Sequence, residues 1–153
     1  MALVLEPIGI VRSPVAEPVD AGWGDVVSEI HLREDLAPGL VGLADFSHVL
    51  VVFWMHAAAF DAATDVVRRP RGRADFPQTG IFAQRARHRP NPIGVSAARL
   101  ERITGAVVTV RGLDAIDGTP VLDLKPYVPE LDHVPGARVP GWIERLLRGY
   151  YRP

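Results

Sequence analysis

The chain has no cysteine, which excludes disulfides, thiolate metal sites and cysteine nucleophiles together. Lysine is nearly as scarce, with Lys125 alone among 17 basic residues. Long apolar runs are also lacking. The longest, Val49 to Met55, is far too short to span a bilayer. The start, Met1-Ala-Leu-Val-Leu-Glu-Pro, has no basic stretch before its apolar residues and does not read as a signal peptide. A soluble, cytoplasmic protein without a membrane partner is the expectation. Charge of one sign is not in excess either: the net charge is -1 and the pI about 6.5. Neither G-x-G-x-x-G nor G-x-x-x-x-G-K-[ST] occurs, which argues against Rossmann-type and P-loop nucleotide binding. H-E-x-x-H and G-x-S-x-G are absent too. Any cofactor site must be of an unconventional kind, and no metal is expected.

What is present reads as one domain covering residues 1–153, with 48% hydrophobic residues available for a single core. Fourteen prolines and fourteen glycines divide the chain into short pieces rich in Val, Ile and Thr, the punctuation of strands. Strands are expected at Val4 to Arg12, Val26 to Leu32, Ser47 to Met55, Ile93 to Ile103, Ala106 to Leu113 and Val121 to Lys125. The second alternates, with Val26, Ser28, Ile30 and Leu32 on one face. Val49 to Met55 is apolar on both faces, which predicts a central strand covered on both sides. Helix is expected only around Leu40 to Leu43, at Ala57 to Ala63 and from Pro140 to about Leu147. The fold class is therefore mainly β, a small barrel-like domain with short peripheral helices, since closure removes unpaired strand edges.

Charge is unevenly placed. From Arg68 to Arg89 the chain carries seven arginines and His88 against one acid, Asp75. Such a run is either a solvated loop or a surface for an anionic partner. Its second half, Gly80-Ile-Phe-Ala-Gln-Arg85-Ala-Arg87-His88-Arg89-Pro90-Asn91-Pro92-Ile93-Gly94, is stiffened by prolines that hold φ and push Arg89 and Asn91 into extended geometry. A stiff loop entering a strand makes a good binding platform, because its side chains lose little freedom when a ligand arrives. Arginine suits carboxylates and phosphates, and an Asn amide suits an adenine edge.

A second feature is Leu113-Asp114-Ala-Ile-Asp117-Gly118-Thr-Pro-Val-Leu-Asp123-Leu-Lys125-Pro-Tyr127. Asp-Gly before Thr-Pro is a tight turn between strands. Asp123 and Lys125 share a strand face, with Leu122 and Leu124 opposite. His48 and His56 bracket the apolar strand, about 26 Å apart along a straight strand, and cannot share a metal ion. His56, at the strand's far end, is the cleft candidate.

With these residues in place, the sequence resembles the TsaA-like family, the tRNA methyltransferase O type. The resemblance runs through Ile8 to Pro14, the Gly-Leu-x-x-Phe-Ser-His segment at 42–48, Gly80 to Gly94 and Asp114 to Tyr127. It implies a dimeric, β-barrel-like domain that holds S-adenosylmethionine outside a Rossmann site and N6-methylates N6-threonylcarbamoyladenosine beside the anticodon of tRNA. It places cofactor contacts on His56, Ala57, Arg85, Val95, Leu113, Asp114, Asp117 and Gly118. Substrate contacts are assigned to Arg87, Arg89, Asn91, Lys125 and Tyr127. Three departures stand out. Asp20-Ala-Gly-Trp-Gly-Asp25 replaces a Pro-Arg-Gln-Pro-Gly segment, Gln84-Arg-Ala-Arg87 replaces Thr-Arg-Ser-Pro, and Ala57 replaces a common Gln.

Methyl transfer from a sulfonium needs an aligned nucleophile and little water. An amide-like N6 must also lose a proton, and Asp117 and Asp123 are the carboxylates proposed to take it. Two other readings stay open: an S-adenosylmethionine-dependent methyltransferase of another nucleoside or a small molecule, and a noncatalytic RNA-binding β module.

Overall fold

The computed structural model describes all residues, 1–153. Six strands close an antiparallel barrel: β1 (Gly9–Arg12), β2 (Val27–Leu32), β3 (His48–Trp54), β6 (Ile93–Thr104), β7 (Val107–Arg111) and β8 (Pro120–Pro126), in the order β1-β2-β7-β6-β3-β8. Two short strands, β4 (Val67–Arg68) and β5 (Thr79–Gly80), pair separately inside the long connection from β3 to β6. Three short helices are peripheral: α1 (Ala62–Asp65), α2 (Pro129–Asp132) and α3 (Gly141–Leu146).

The barrel follows from alternation. Ser28, Ile30 and Leu32 of β2 point inward and are buried, as do Val49, Val51 and Phe53 of β3 and Val108 and Val110 of β7. With Val11, Ala98, Leu113, Ala115 and Val121 the apolar residues among them form one interior cluster. Phe53 lies over Gly94 so closely that a Cβ there would sit 2.4 Å from its ring, which is why the Ile93-Gly94 step takes glycine.

Three expectations change. The first strand starts at Gly9, not Val4, and Leu3 and Val4 are more than 80% exposed. β2 ends opposite Gly9, and Pro7 has no N–H to donate, so residues 4–7 have no ladder to join. β3 is not sandwiched: its outward Leu50 and Val52 are half-buried and Trp54 is exposed, because a closed barrel covers only one face of each strand. The helix at Ala57 to Ala63 shrinks to α1, started where Asp61 Oδ1 accepts the Ala63 N–H at 2.9 Å.

Antiparallel closure gives the barrel two mouths. The ends of β1, β3 and β7 and the starts of β2, β6 and β8 share one mouth, which carries loops 13–26, 55–92 and 112–119. The other carries residues 33–47, the Gly105-Ala106 hairpin turn and the chain after Pro126.

Candidate functional site

The first mouth gathers most of the expected residues. The stiff loop is pinned to the end of β3, where Met55 N–H donates to the Pro92 carbonyl at 2.7 Å. Arg85 Nη2 donates to the Val95 carbonyl at 2.7 Å, so two expected cofactor residues touch directly. Ser96, next along β6, donates its hydroxyl to Asp114 Oδ1. On the neighbouring strand ends, a Cβ at Gly118 would lie 3.9 Å from His56 Nε2. His56, Ala57 and Val95 are all exposed at this mouth, while Leu113 is fully buried beneath it.

The carboxylates in the turn are already engaged. Asp117 Oδ1 accepts the Ser13 N–H at 3.0 Å, and Asp117 and Gly118 donate their own N–H groups to Val15 and Val11 carbonyls at 2.8 Å. Asp117 thus braces the β7–β8 turn against the segment after β1. Asp114 is held on both oxygens, by Ser96 and by the Tyr150 phenol at 2.5 Å. Burial, then the Asp114 charge and this bond, push the Tyr150 phenol well above the ordinary tyrosine range. Tyr151 is also raised, chiefly by burial and Asp114, with Arg85 acting in the opposite direction.

The arginine run divides into two kinds. Arg68, Arg71 and Arg73 pair with Asp65, Asp20 and Asp75 at 3.6, 3.7 and 2.6 Å. Arg69, Arg85 and Arg89 donate instead to backbone carbonyls, and Arg87 to His88. Their charge is not cancelled by a carboxylate. Arg89 turns onto the Gln84 and Ala86 carbonyls at 3.0 and 3.3 Å and staples its own loop, whereas Arg85, Arg87 and Asn91 stay exposed. Gln84, 5% exposed, ties the Arg68 and Thr79 carbonyls together beneath them.

Two expected residues lie elsewhere, and a third, Asp123, stands on the outer wall in the row of Val52 and Val95. A bulge at the β3–β8 pairing sets Asp123 opposite outward Val52, where it bonds Lys125 at 2.7 Å on the outer wall. Lys125 pairs with Leu50, six positions before His56, or about 20 Å along the strand. Tyr127 is further still, its N–H on the His48 carbonyl and its ring edge-on to His48 at 6.3 Å. Lys125 and Tyr127 are therefore not brought together with Arg87, Arg89 and Asn91, and Asp123 is not brought together with Asp117. Sequence reasoning also passes over Ser96, Tyr150 and Tyr151. Their one signal along the chain is an aromatic pair just past the end of the last helix.

A closed antiparallel barrel that gathers arginine, imidazole and tyrosine side chains around one mouth defines a ligand-binding barrel domain. Residues 12–133 match the family model described as the tRNA-methyltransferase O N-terminal domain. The chain belongs to this family, as the TsaA-like resemblance implied. A probable S-adenosyl-L-methionine-binding protein of Pyrococcus abyssi is 35% identical over 150 residues, 95% of this chain and 78% of that one. The human tRNA (adenine(37)-N6)-methyltransferase is 43% identical over 139 residues, covering 85% of this chain and 31% of the enzyme. The crystal structure of TrmO from Pseudomonas aeruginosa superposes with a TM-score of 0.75 at 34% identity, over 93% of this chain and 62% of that one. The chain thus spans about three fifths of that structure and under a third of the human enzyme.

Proposed function

We propose that this chain is an S-adenosylmethionine-dependent methyltransferase that methylates N6 of an adenosine in tRNA, specifically N6-threonylcarbamoyladenosine beside the anticodon. The observation that carries this is the convergence of family membership and geometry. The chain belongs to the tRNA-methyltransferase O family, and His56, Ala57, Arg85, Val95, Leu113, Asp114, Asp117 and Gly118 meet at one mouth of the barrel.

The residues at this mouth suit such a cofactor. Glycine at 118 leaves room beside the His56 ring, and Val95 and Tyr151 offer partly exposed apolar surface next to the Arg85 charge. Bound there, S-adenosylmethionine would supply an electrophilic methyl group. The chain's part is alignment. The Asp117 brace and the Asp114 bonds fix the turn, and Pro90 and Pro92 fix the loop that carries Arg85 and Arg87. Asp117 is the carboxylate we assign to accept the N6 proton, a role supported by an Oδ2 left free when Oδ1 accepts the Ser13 N–H. Asp123, paired with Lys125 on the outer wall, is not retained in that role. Arg85 and Arg87 supply the charge for RNA phosphate.

A two-fold homodimer belongs to this reading. The exposed apolar strip of Trp54, Ile93 and Val95 on the outer wall borders the mouth and offers an isologous surface. α3 is less available, because Trp142 packs on Phe76 of its own chain. No helix is long and apolar enough to cross a membrane, and tRNA modification fits a cytoplasmic setting.

The test is mass spectrometry of tRNA nucleosides after incubation with the protein and methyl-labelled S-adenosylmethionine. Label in N6-methyl-N6-threonylcarbamoyladenosine is the expected result. Label in another nucleoside, or in a small molecule only, would replace the substrate and keep the cofactor. RNA binding with no cofactor affinity would leave the noncatalytic module.

A further inference from the structure

The family match ends at residue 133, yet the last residues of the chain return to the mouth that carries the site. α3 anchors the return. Trp142 packs edge-on to buried Phe76 at 6.3 Å between centroids, and Arg145 Nη2 donates to the Asp75 carbonyl at 3.2 Å. Beyond it, Gly22, Trp23 and Gly24 donate their N–H groups to the Gly149, Tyr150 and Tyr151 carbonyls at 3.0, 2.9 and 2.8 Å. The fit is close: a Cβ on Gly24 would lie 2.1 Å from the Tyr151 carbonyl oxygen. Trp23 is 2% exposed, with its indole N–H on the Val19 carbonyl at 3.1 Å. The Gly22 to Gly24 segment is shaped as a seat for Gly149 to Tyr151.

The seat delivers two phenol rings. Tyr150 donates its hydroxyl to Asp114 Oδ2, completing what Ser96 does at Oδ1. The Tyr151 ring stands edge-on to Tyr150, 4.9 Å between centroids, and remains 43% exposed.

We propose that this tyrosine pair is part of the cofactor site. Tyr150 is a positioning residue that holds the Leu113–Gly118 turn through Asp114, and Tyr151 is the face on which the cofactor's adenine stacks. The inference rests on the S-adenosylmethionine reading above. Adenine is the part assigned to Tyr151 because a neutral base stacks on an exposed aromatic face, whereas the Arg85 guanidinium, held on the Val95 carbonyl one residue before Ser96, suits the cofactor's carboxylate. Both Asp114 oxygens are engaged within the chain, so that carboxylate holds the turn and the ring that border the cofactor.

Calorimetric titration of the full chain with S-adenosylmethionine and with S-adenosylhomocysteine tests this. Tyr151→Ala is expected to raise both dissociation constants about ten-fold, because the two ligands share adenosine, and Tyr151→Phe to restore binding. Tyr150→Phe and Gly24→Ala, which loosen the tail from opposite sides, are expected to weaken both ligands several-fold, with exposed Arg138→Ala as the unaffected control. Should Gly24→Ala fail to fold, the tyrosine substitutions alone decide. Wild-type affinity or tighter binding in Tyr150→Phe and Tyr151→Ala overturns the proposal, and tighter binding would mean that the tail covers the site. A loss confined to S-adenosylmethionine overturns the adenine assignment. If the unaltered chain binds neither ligand, the cofactor reading itself fails and takes this inference with it.

Discussion

The two mouths of the barrel are framed by the same six strands, but they handle charge differently. At the second, charges are matched locally. Arg33 meets Asp35 at 2.8 Å and Glu6 at 3.7 Å, and Arg33 holds the Asp35 carboxyl below its usual range. Along the nearby wall Lys125 meets Asp123. At the first mouth Arg68, Arg71 and Arg73 are also paired with carboxylates, but Arg85 and Arg89 bond carbonyls, Arg87 bonds an imidazole, and Asp114 and one oxygen of Asp117 are engaged by phenol, hydroxyl and backbone donors. A carbonyl orients a guanidinium without neutralising it. Positive charge thus stays unneutralised on the Arg85 to Arg89 stretch of the first mouth.

The largest expected effect ignores the distinction. Ile30, fully buried between the mouths, should cost about 2–5 kcal/mol when replaced by alanine, read as a lower denaturation midpoint. A loss confined to ligand binding would mean that the barrel is not one cooperative core. The next effect separates unpaired from paired cations. Arg85→Ala should weaken S-adenosylmethionine binding by about 1.5–3 kcal/mol, while Arg73→Ala, whose charge is paired with Asp75 and stacked 4.7 Å over Phe76, and Lys125→Ala at the far side should leave it unchanged. Equal effects of the three in calorimetry would erase the comparison.

A smaller effect concerns RNA. Binding of tRNA should fall steeply with salt, and Arg87→Ala should lower the slope of log K against log salt by roughly one for each phosphate that it leaves without a cation. The same change for Arg33→Ala would place the RNA at the wrong mouth. The smallest concerns the tail. The Tyr150 phenol is raised above its ordinary value of about 10, so the folded state favours the protonated form. Its contribution is complete below about pH 10 and is lost as pH rises through the higher folded value. Wild type should therefore lose more stability than Tyr150→Phe between about pH 9 and pH 11. Parallel loss in the two would detach Tyr150 from Asp114.

Much of the fold was legible along the chain. Val, Ile and Thr-rich pieces bounded by Pro and Gly mark five of the six barrel strands closely, because strand propensity and turn residues act locally, and alternation fixes the inward face of the second. The first strand reads too long because apolar character at Leu3 to Leu5 does not reveal whether a partner strand continues beside it. The site was legible in part. Arg85, Val95, Asp114, Asp117, Gly118 and His56 converge because each lies at a strand end that antiparallel closure brings to one mouth. Asp123 and Lys125 do share one face, but nothing local shows that a bulge beside Val52 turns that face outward.

By itself, the sequence determined the strand content, the inward face of the second strand, the stiffness of the Pro90 to Pro92 loop and the exclusion of thiol, P-loop and Rossmann chemistry. Tertiary structure alone decided which mouth each residue occupies, and that Ser13 meets Asp117 across 104 positions and Tyr150 meets Asp114 across 36. The reason is physical. Alternation and proline act over a few bonds, whereas these contacts depend on which strand ends closure brings together and on where the chain's last turn finds a seat.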